Sequence, residues 1–452
     1  MAYIANTPDD VRTMLAAIGI DSLDQLFDAV PAEYRLDGPL HVPPALSELA
    51  LTETVLRLLG RNEGADCRVC FLGGGSYDHF IPAVVDNLAS RGEFYTAYTP
   101  YQPEASQGTL QATFEYQTLI ANLTGMDVSN ASLYDGGSAT AEAMLMALTI
   151  TKRHGRVVVA DSVHPEYRQV LSTFLALMEP ELTTVPSENG RVTPEAIAHA
   201  IDDQTAAVIV QYPNFFGGLE DVEAIVSAAH AAGALAIVIV DPISLGLLRR
   251  PGDYGADIVV AEGQSLGNPL QYGGPYLGIM ACREDYVRKM PGRIVGQTTD
   301  RNGKRCWVLT LQTREQHIRR EKATSNICTN QGLLALRSSI YLAVMGPNGL
   351  RQAAELSTRK AHYAAEKLAA IPGVSLAFQA PFFKEFAIRV PGDARKILAD
   401  VGTQGYHGGI TLGRWYPSMD DAILVAVTEK RTKAEIDGLA DAYASAIGQA
   451  SR

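Results

Sequence analysis

Residues 135–140, Asp-Gly-Gly-Ser-Ala-Thr, run directly into an alanine-rich helical pattern. Small residues such as Gly136 and Gly137 let the N–H groups at a helix N-terminus point at an anion, and the hydroxyls of Ser138 and Thr140 add donors. The stretch is therefore a candidate phosphate cup. The same residue types also form ordinary helix caps, and the sequence alone leaves both interpretations open.

Two further polar residues each follow an apolar run that predicts a strand. Asp241 ends the most hydrophobic run, 234–240, and precedes Pro242. A carboxylate at the end of a strand in an open α/β sheet could pair with a protonated ring nitrogen, such as that of pyridoxal phosphate, but turn aspartates also stand there. His164 follows the run 157–160, where an imidazole could stack on a bound ring, although capping is a more common role.

Short apolar runs alternate with amphipathic helical patterns through the middle of the chain. The predicted strands are 157–160, 207–211, 235–240, 258–261 and 276–281, with helices at 165–177, 194–201 and 222–232 between them. This alternation is typical of a mostly parallel sheet covered on both faces. The sequence therefore predicts a large doubly wound α/β domain.

Three regions are predicted from changes in pattern. Residues 1–65 form short helices (9–18, 23–27 and 45–59) separated by prolines, as in an arm. Residues 66–335 form the large α/β domain. Residues 336–452, with predicted helices at 352–370 and 433–447 and strands at 386–390 and 422–427, form a smaller α+β domain.

Composition excludes several classes of protein. Hydrophobic residues make up 47% of the 452 residues, which is enough for a large core. The net charge of −12 makes nucleic acid an unlikely partner on electrostatic grounds. We find no apolar run of membrane-spanning length and no histidine and cysteine spacing typical of a metal site. Five scattered cysteines and an N-terminus without signal-peptide blocks predict a cytoplasmic protein.

Several motifs resemble the amino-terminal half of glycine decarboxylase, the P-protein of the glycine cleavage system. The most specific is residues 93–104, Glu-Phe-Tyr-Thr-Ala-Tyr-Thr-Pro-Tyr-Gln-Pro-Glu. Further matching segments are 106–108, 123–127, 263–267, 273–275 and 323–329. The resemblance implies a fold type I pyridoxal phosphate-dependent architecture and covers essentially the whole chain.

The resemblance also implies partners and a reaction. P-proteins occur as one long chain or as two subunits, and 452 residues fit the alpha subunit, or subunit 1, of an α2β2 assembly. The beta subunit would hold pyridoxal phosphate covalently, decarboxylate glycine and pass the aminomethyl group to the lipoyl arm of H-protein. Two alternatives are a scaffold or regulatory homologue and a free-standing aminotransferase or lyase.

A lysine that could anchor the coenzyme is missing from the expected interval. None of the ten lysines lies between Arg153 and Arg288, the interval that contains Asp241. In the family's other half the corresponding turn carries His-Lys, and its nearest counterparts here are Gln264 and Ser265. The sequence therefore predicts a pocket without an amine, a relic that binds no coenzyme covalently and has no catalytic residue of its own. Lys322, near the 323–329 motif, is the alternative anchor, but it follows Asp241 by a longer span than the usual anchor does.

The remaining candidate residues are assigned to the interface with the partner. The aromatic, hydroxyl and carboxylate groups of the 93–104 motif could line the partner's site, and hydrogen-bond donors in the 323–329 motif could reach its coenzyme phosphate. Interface packing without ligand contact is the alternative. These candidates are Tyr98, Thr99, Tyr101, Gln102, Glu104, Thr324, Ser325 and Asn326.

Overall fold

The computed structural model of the chain describes residues 5–323 and 325–450, without the side chains of 449 and 450. The chain divides into two compact units, Met1–Glu63 and Gly64–Arg452. The predicted boundary at 335–336 falls inside a helix of the second unit, and the three-region division stays a prediction.

The first unit consists of short helices. They are α1 (Pro8–Ile18), α2 (Glu48–Leu59) and two 3-10 turns, Leu23–Phe27 and Ala32–Tyr34. Thr7 caps α1 by accepting from the N–H of Asp10, whose carboxylate accepts from the N–H of Thr7 in return. No described residue of this unit is buried, so its apolar side chains remain accessible.

The second unit contains all the described strands. In chain order they are β1 (Val69–Cys70), β2 (Val128–Ser129), β3 (Arg156–Ala160), β4 (Glu181–Val185), β5 (Thr205–Tyr212), β6 (Leu235–Val240), β7 (Ile258–Glu262), β8 (Gly278–Cys282), β9 (Ile294–Thr299), β10 (Arg305–Thr310), β11 (Ser375–Leu376), β12 (Glu385–Arg389), β13 (Tyr406–His407), β14 (Ile410–Thr411) and β15 (Ala422–Ala426).

Helices cover these strands. They are α3 (Ala83–Ala89), α4 (Gly92–Tyr95), α5 (Gln107–Thr124), α6 (Gly136–Thr151), α7 (Pro165–Leu175), α8 (Pro194–Ala200), α9 (Val222–Ala231), α10 (Gln316–Arg319), α11 (Gly332–Ala369), α12 (Ala394–Thr403) and α13 (Lys433–Ala450). Among the described residues, no helix has the length and apolar character needed to span a membrane.

The main sheet has the order β2-β8-β7-β6-β5-β3-β4. The five strands from β7 to β4 are parallel, and β8 and β2 add antiparallel pairs at one side. Every residue of β6 is buried, because helices pack on both faces of the parallel strands. The predicted mostly parallel α/β sheet is confirmed, and the carboxyl ends of β3, β6 and β7 meet at one edge.

A second sheet lies in the carboxy-terminal part of the chain. It is antiparallel, with the order β11-β12-β15-β14, while β1 pairs with β13 and β9 with β10. Phe71, Ile388 and Val425 pack with residues of α11, α12 and α13 in a separate apolar cluster. Strand β12 begins where this sheet approaches the edge of the main sheet.

Helix α11 begins about twenty residues before the predicted helix at 352–370. Gly346 interrupts it with φ 57° and ψ −175°, and Pro347 follows inside the helix. Proline fits a first helical turn but breaks a helix interior, so two helical segments meet at this kink. The apolar pattern of the sequence predicts only the second segment.

Candidate active site

The carboxylate of Asp241 forms an ion pair that the sequence analysis did not anticipate. Asp241 lies directly after β6, and its Oδ1 accepts from the N–H of Ile243. Its Oδ2 lies 2.6 Å from Nζ of Lys384, which precedes β12. The predicted pocket without an amine is therefore wrong: a lysine enters it from the second sheet and binds the carboxylate expected to hold a ring nitrogen.

The ammonium of Lys384 is only 1% exposed, and it has three partners. Besides Asp241, Nζ donates to Nε2 of His79 at 2.9 Å and lies 3.4 Å from the ring centroid of Tyr77. An ammonium has three N–H donors, so a carboxylate, an imidazole nitrogen and an aromatic face satisfy all of them. Such partners are what a buried charge requires.

Second contacts fix the two rings around Lys384. His79 Nδ1 lies 2.6 Å from Oε2 of Glu429, so with Nε2 accepting from Lys384 the proton resides on Nδ1. Burial alone would raise the pKa of Glu429, but the hydrogen bonds from His79 and from the N–H of Phe80 stabilise the carboxylate and lower it. Tyr77 donates its hydroxyl to Glu385 at 2.7 Å, and burial raises the pKa of Glu385 to about 7.

The candidate phosphate cup at the start of α6 is occupied by protein groups. Asp135 and Ser138 form a reciprocal capping box, and the Thr140 hydroxyl donates to the carbonyl of Gly136. The N–H of Gly136 donates to Glu262, whose carboxyl group also accepts from two other backbone N–H groups. Burial raises the pKa of Glu262 to about 8 despite these donors. The helix-cap alternative therefore accounts for both hydroxyls.

His164 stacks on a side chain of its own helix. Its ring lies 4.6 Å from that of Tyr167 with an interplanar angle of 20°, and its Nε2 is 2.7 Å from the carbonyl oxygen of Gly74. Burial lowers the pKa of His164. A Cβ placed on Gly136 would meet the Tyr167 hydroxyl oxygen at 2.2 Å, so Tyr167 reaches the helix N-terminus; Gly137 also faces its ring.

These residues do not fit pyridoxal phosphate. Asp241 is paired with Lys384, the N–H of Gly136 is bonded to Glu262, and His164 is stacked on Tyr167. The cavity that remains is about 30 Å³, which is room for about one or two water molecules. Ser265 lines it, and its buried hydroxyl has no hydrogen-bond partner among the described residues.

A larger cavity of about 240 Å³ lies beside the 93–104 motif. Tyr98, which is 85% exposed, and Thr99 line it together with the buried side chains of Tyr116 and Arg293. The Tyr116 hydroxyl and the Arg293 Nε have no hydrogen-bond partner within the described part of the chain, and Arg293 Nε lies 3.9 Å from Oε2 of the buried Glu315. This cavity offers donors for a carboxylate or a phosphate, with apolar walls around them.

The other described interface candidates are not among the residues that line this cavity. Tyr101 accepts from Nη2 of Arg293 at 3.3 Å, which connects the motif to the cavity wall, whereas Gln102 and Glu104 are exposed. Ser325 accepts from the N–H of Ile327, and Asn326 is exposed. Thr324 lies outside the described residues. No grouping of three potential metal ligands occurs in the described parts of the chain.

The glycine cleavage system P-protein family model matches residues 1–443. The chain belongs to the P-protein family. The probable glycine dehydrogenase (decarboxylating) subunit 1 of Desulforamulus reducens is 52% identical over 97% of this chain and 98% of its own length. The protein of the same name from Carboxydothermus hydrogenoformans is 52% identical over 98% and 99%.

Solved structures of other proteins share the fold of this P-protein chain. A crystal structure of glycine decarboxylase (P-protein) in inhibitor-bound form has a TM-score of 0.91 and 46% identity, covering 99% of this chain and 100% of that one. A glutamate decarboxylase from Lactobacillus brevis, 13% identical, has a TM-score of 0.69, covering 94% and 97%, and shows the fold alone. The predicted fold type I α/β architecture is confirmed.

Sequence reasoning on the P-protein chain missed the groups that fill the pocket and surround Lys384. Lys384, Glu262 and Tyr167 lie on separate segments, Tyr77 and His79 share a fourth, and no local motif connects the four. One signal was available. A Lys-Glu pair interrupts the apolar pattern at the start of β12, and charged side chains at buried strand positions require partners.

Proposed function

We propose that this chain is the alpha subunit of a heteromeric glycine decarboxylase whose partner subunit holds pyridoxal phosphate. The observation that carries the proposal is the 2.6 Å ion pair between Asp241 and Lys384, which occupies the carboxylate needed for a ring nitrogen. The serine at position 265 and relatives named subunit 1 support it. On this proposal the chain has no coenzyme lysine and works only with its partner.

The contribution of this chain would come from the larger cavity. Tyr98 and Thr99 lie at its wall, and the Arg293 guanidinium, only 4% exposed, lies beside them with Glu315 on its Nε side. We propose that this surface faces the partner's site and helps to bind glycine or the coenzyme phosphate there. Ser325 and Asn326, with Thr324, would donate hydrogen bonds across the same interface.

The wider proposal is an α2β2 assembly in the cytoplasm. The assembled enzyme would decarboxylate glycine with the electron-withdrawing ring of pyridoxal phosphate on the beta subunit, and the lipoyl arm of H-protein would accept the aminomethyl group. The alpha chain would orient groups and exclude water at the entrance. The alpha chain has the fold of a coenzyme-binding subunit, and subunits of similar fold can pair about a twofold axis.

The first test is to reconstitute the enzyme from separately purified subunits. The chain alone, incubated with pyridoxal phosphate and glycine, should show no borohydride-reducible adduct at the residues of the pocket and no release of CO2 from glycine. Addition of the partner subunit and H-protein should produce both. Glycine turnover by the chain alone would reject the proposal in favour of a free-standing enzyme.

Point variants distinguish a shared site from a scaffold. Tyr101→Phe and Asn326→Ala should each lower turnover of the reconstituted enzyme without dissociating it, because the side chains are accessible and carry polar groups. Glu179→Gln, at an exposed position on a different part of the main-sheet region, is the control. Unchanged kinetics in both test variants would favour a scaffold or regulatory role.

A further inference from the structure

We infer that the ammonium of Lys384 replaces a coenzyme ring nitrogen as the partner of Asp241. The Lys384 side chain also fills the pocket, so a lysine restored at position 265 would not by itself make room for a coenzyme. The first part concerns the charge that neutralises Asp241. The second concerns the space in which a ring would have to lie. Both parts concern this chain alone, so neither depends on the proposed partner or reaction.

The charge argument rests on the contacts of Lys384. Its Nζ lies 2.6 Å from Oδ2 of Asp241, and the remaining donors are directed at Nε2 of His79 and the ring of Tyr77. A second cation at Asp241 would lie against a buried ammonium, and like charges in a water-poor pocket repel strongly. A protonated ring nitrogen and Lys384 therefore cannot both pair with this carboxylate.

Two other side chains occupy the remaining contacts that a coenzyme would make. Glu262 accepts from the N–H of Gly136 at the N-terminus of α6, the position of an anion. Tyr167 stacks on His164 at 4.6 Å, the position of a ring. The chain itself therefore supplies a cation from Lys384, a hydrogen-bond acceptor from Glu262 and an aromatic ring from Tyr167, each from a different element.

The space argument follows from the cavity that these side chains leave. Ser265 and Lys384 line the same cavity of about 30 Å³. A lysine at position 265 would have to share that space with the Lys384 ammonium. Restoring the anchor alone therefore leaves no room for a ring, whereas removal of the Lys384 side chain frees the volume beside Asp241.

The charge part is tested by a double-mutant cycle with Lys384→Met and Asp241→Asn, measured as urea unfolding of the full chain. Lys384→Met alone leaves the largely enclosed carboxylate of Asp241 without its cation and should lower the unfolding midpoint sharply. The double variant should recover much of that loss, with a coupling above about a tenfold change in the unfolding equilibrium constant. Additive effects would overturn the assignment.

The space part is tested with Ser265→Lys, Lys384→Ala and the double variant, each treated with pyridoxal phosphate and borohydride and analysed by peptide mass. Only the double variant should carry the label at position 265, about tenfold above the single variants, because trapping needs access of the aldehyde to the amine and not the contacts at Gly136 and His164. Equal labelling of Ser265→Lys alone, labelling of Lys384 in the wild type, or an unlabelled folded double variant would each overturn it. If Ser265→Lys does not fold, recovery of folding in the double variant supports the shared space, and its absence contradicts it.

Discussion

The environment of a side chain, more than its type, decides its chemistry in this molecule. Lys384 has the amine of a Schiff-base lysine, yet its three partners hold it at the carboxylate of Asp241. Ser265, at the predicted anchor position, has a buried hydroxyl with no partner in the described residues. The lysine that fills the pocket thus lies outside the interval between Arg153 and Arg288, where an anchoring lysine is expected.

The hydroxyl of Tyr116 provides a test at this scale. Tyr116 is fully buried and its hydroxyl has no partner among the described residues, so Tyr116→Phe should raise the free energy of unfolding of the isolated chain by about 1 kcal/mol. Urea denaturation measures the change. The control is Tyr443→Phe, which removes a hydroxyl that donates to Gly408 at 3.1 Å and should lower stability by a similar amount.

A loss of stability in Tyr116→Phe as large as in Tyr443→Phe would contradict this account of the cavity. It would mean that the Tyr116 hydroxyl has a partner in solution. The same variant in the assembled enzyme then measures whether the hydroxyl contributes to turnover, because the wall of the larger cavity contains it.

At the scale of elements, the pocket forms where the second sheet approaches the edge of the main sheet. The loop after β5 meets β12 at Gly217, which has φ +84°. A Cβ on Gly217 would lie 1.9 Å from the backbone oxygen of Glu385, the residue next to Lys384. The close approach of these two backbones sets the depth at which Lys384 enters the pocket.

Gly217→Ala should therefore destabilise the chain strongly. Its control is Gly303→Ala in the β9–β10 turn, where φ is +76° but a Cβ meets nothing within 4 Å. The control should lose about 1 kcal/mol through backbone strain alone, and Gly217→Ala should lose at least about 2 kcal/mol more. Equal shifts of the urea midpoints would show that the approach is not a constraint in solution.

At the scale of the whole molecule, the Met1–Glu63 unit exposes large apolar side chains. Helix α2 exposes Leu49 and Leu56, seven residues apart and so on one face, and no described residue of the unit is buried. Exposed apolar side chains on one face of a helix can form an interaction site. We expect this helix to bind the partner subunit in the assembled enzyme.

The double substitution Leu49→Ser and Leu56→Ser tests that expectation. It should weaken association with the partner about tenfold or more in analytical ultracentrifugation, because two anchoring side chains are lost. The unfolding midpoint of the free chain should change little, since both side chains are exposed. Thr52→Ser on the same helix is the control, and unchanged association in the Leu49 and Leu56 variant would exclude α2 from the interface.

The sequence by itself determined the family, the parallel α/β sheet and the positions of Asp241 and His164 at strand ends. Hydrophobic periodicity and motif spacing are local properties, so strand β6 at Leu235–Val240 was predicted to the residue. The sequence predicts only the second segment of helix α11, because Pro347 interrupts the helical pattern.

Only the tertiary structure decided what fills the pocket. Lys384 lies at the start of a strand, Glu262 at the end of another strand, and Tyr167 in a helix. The apolar pattern of one segment does not indicate which charged side chain of a distant segment will contact it. The missing lysine predicted a pocket without an amine. Packing of the second sheet against the first instead brought one in and paired it with Asp241, because a buried carboxylate without a coenzyme needs a cation from the chain itself.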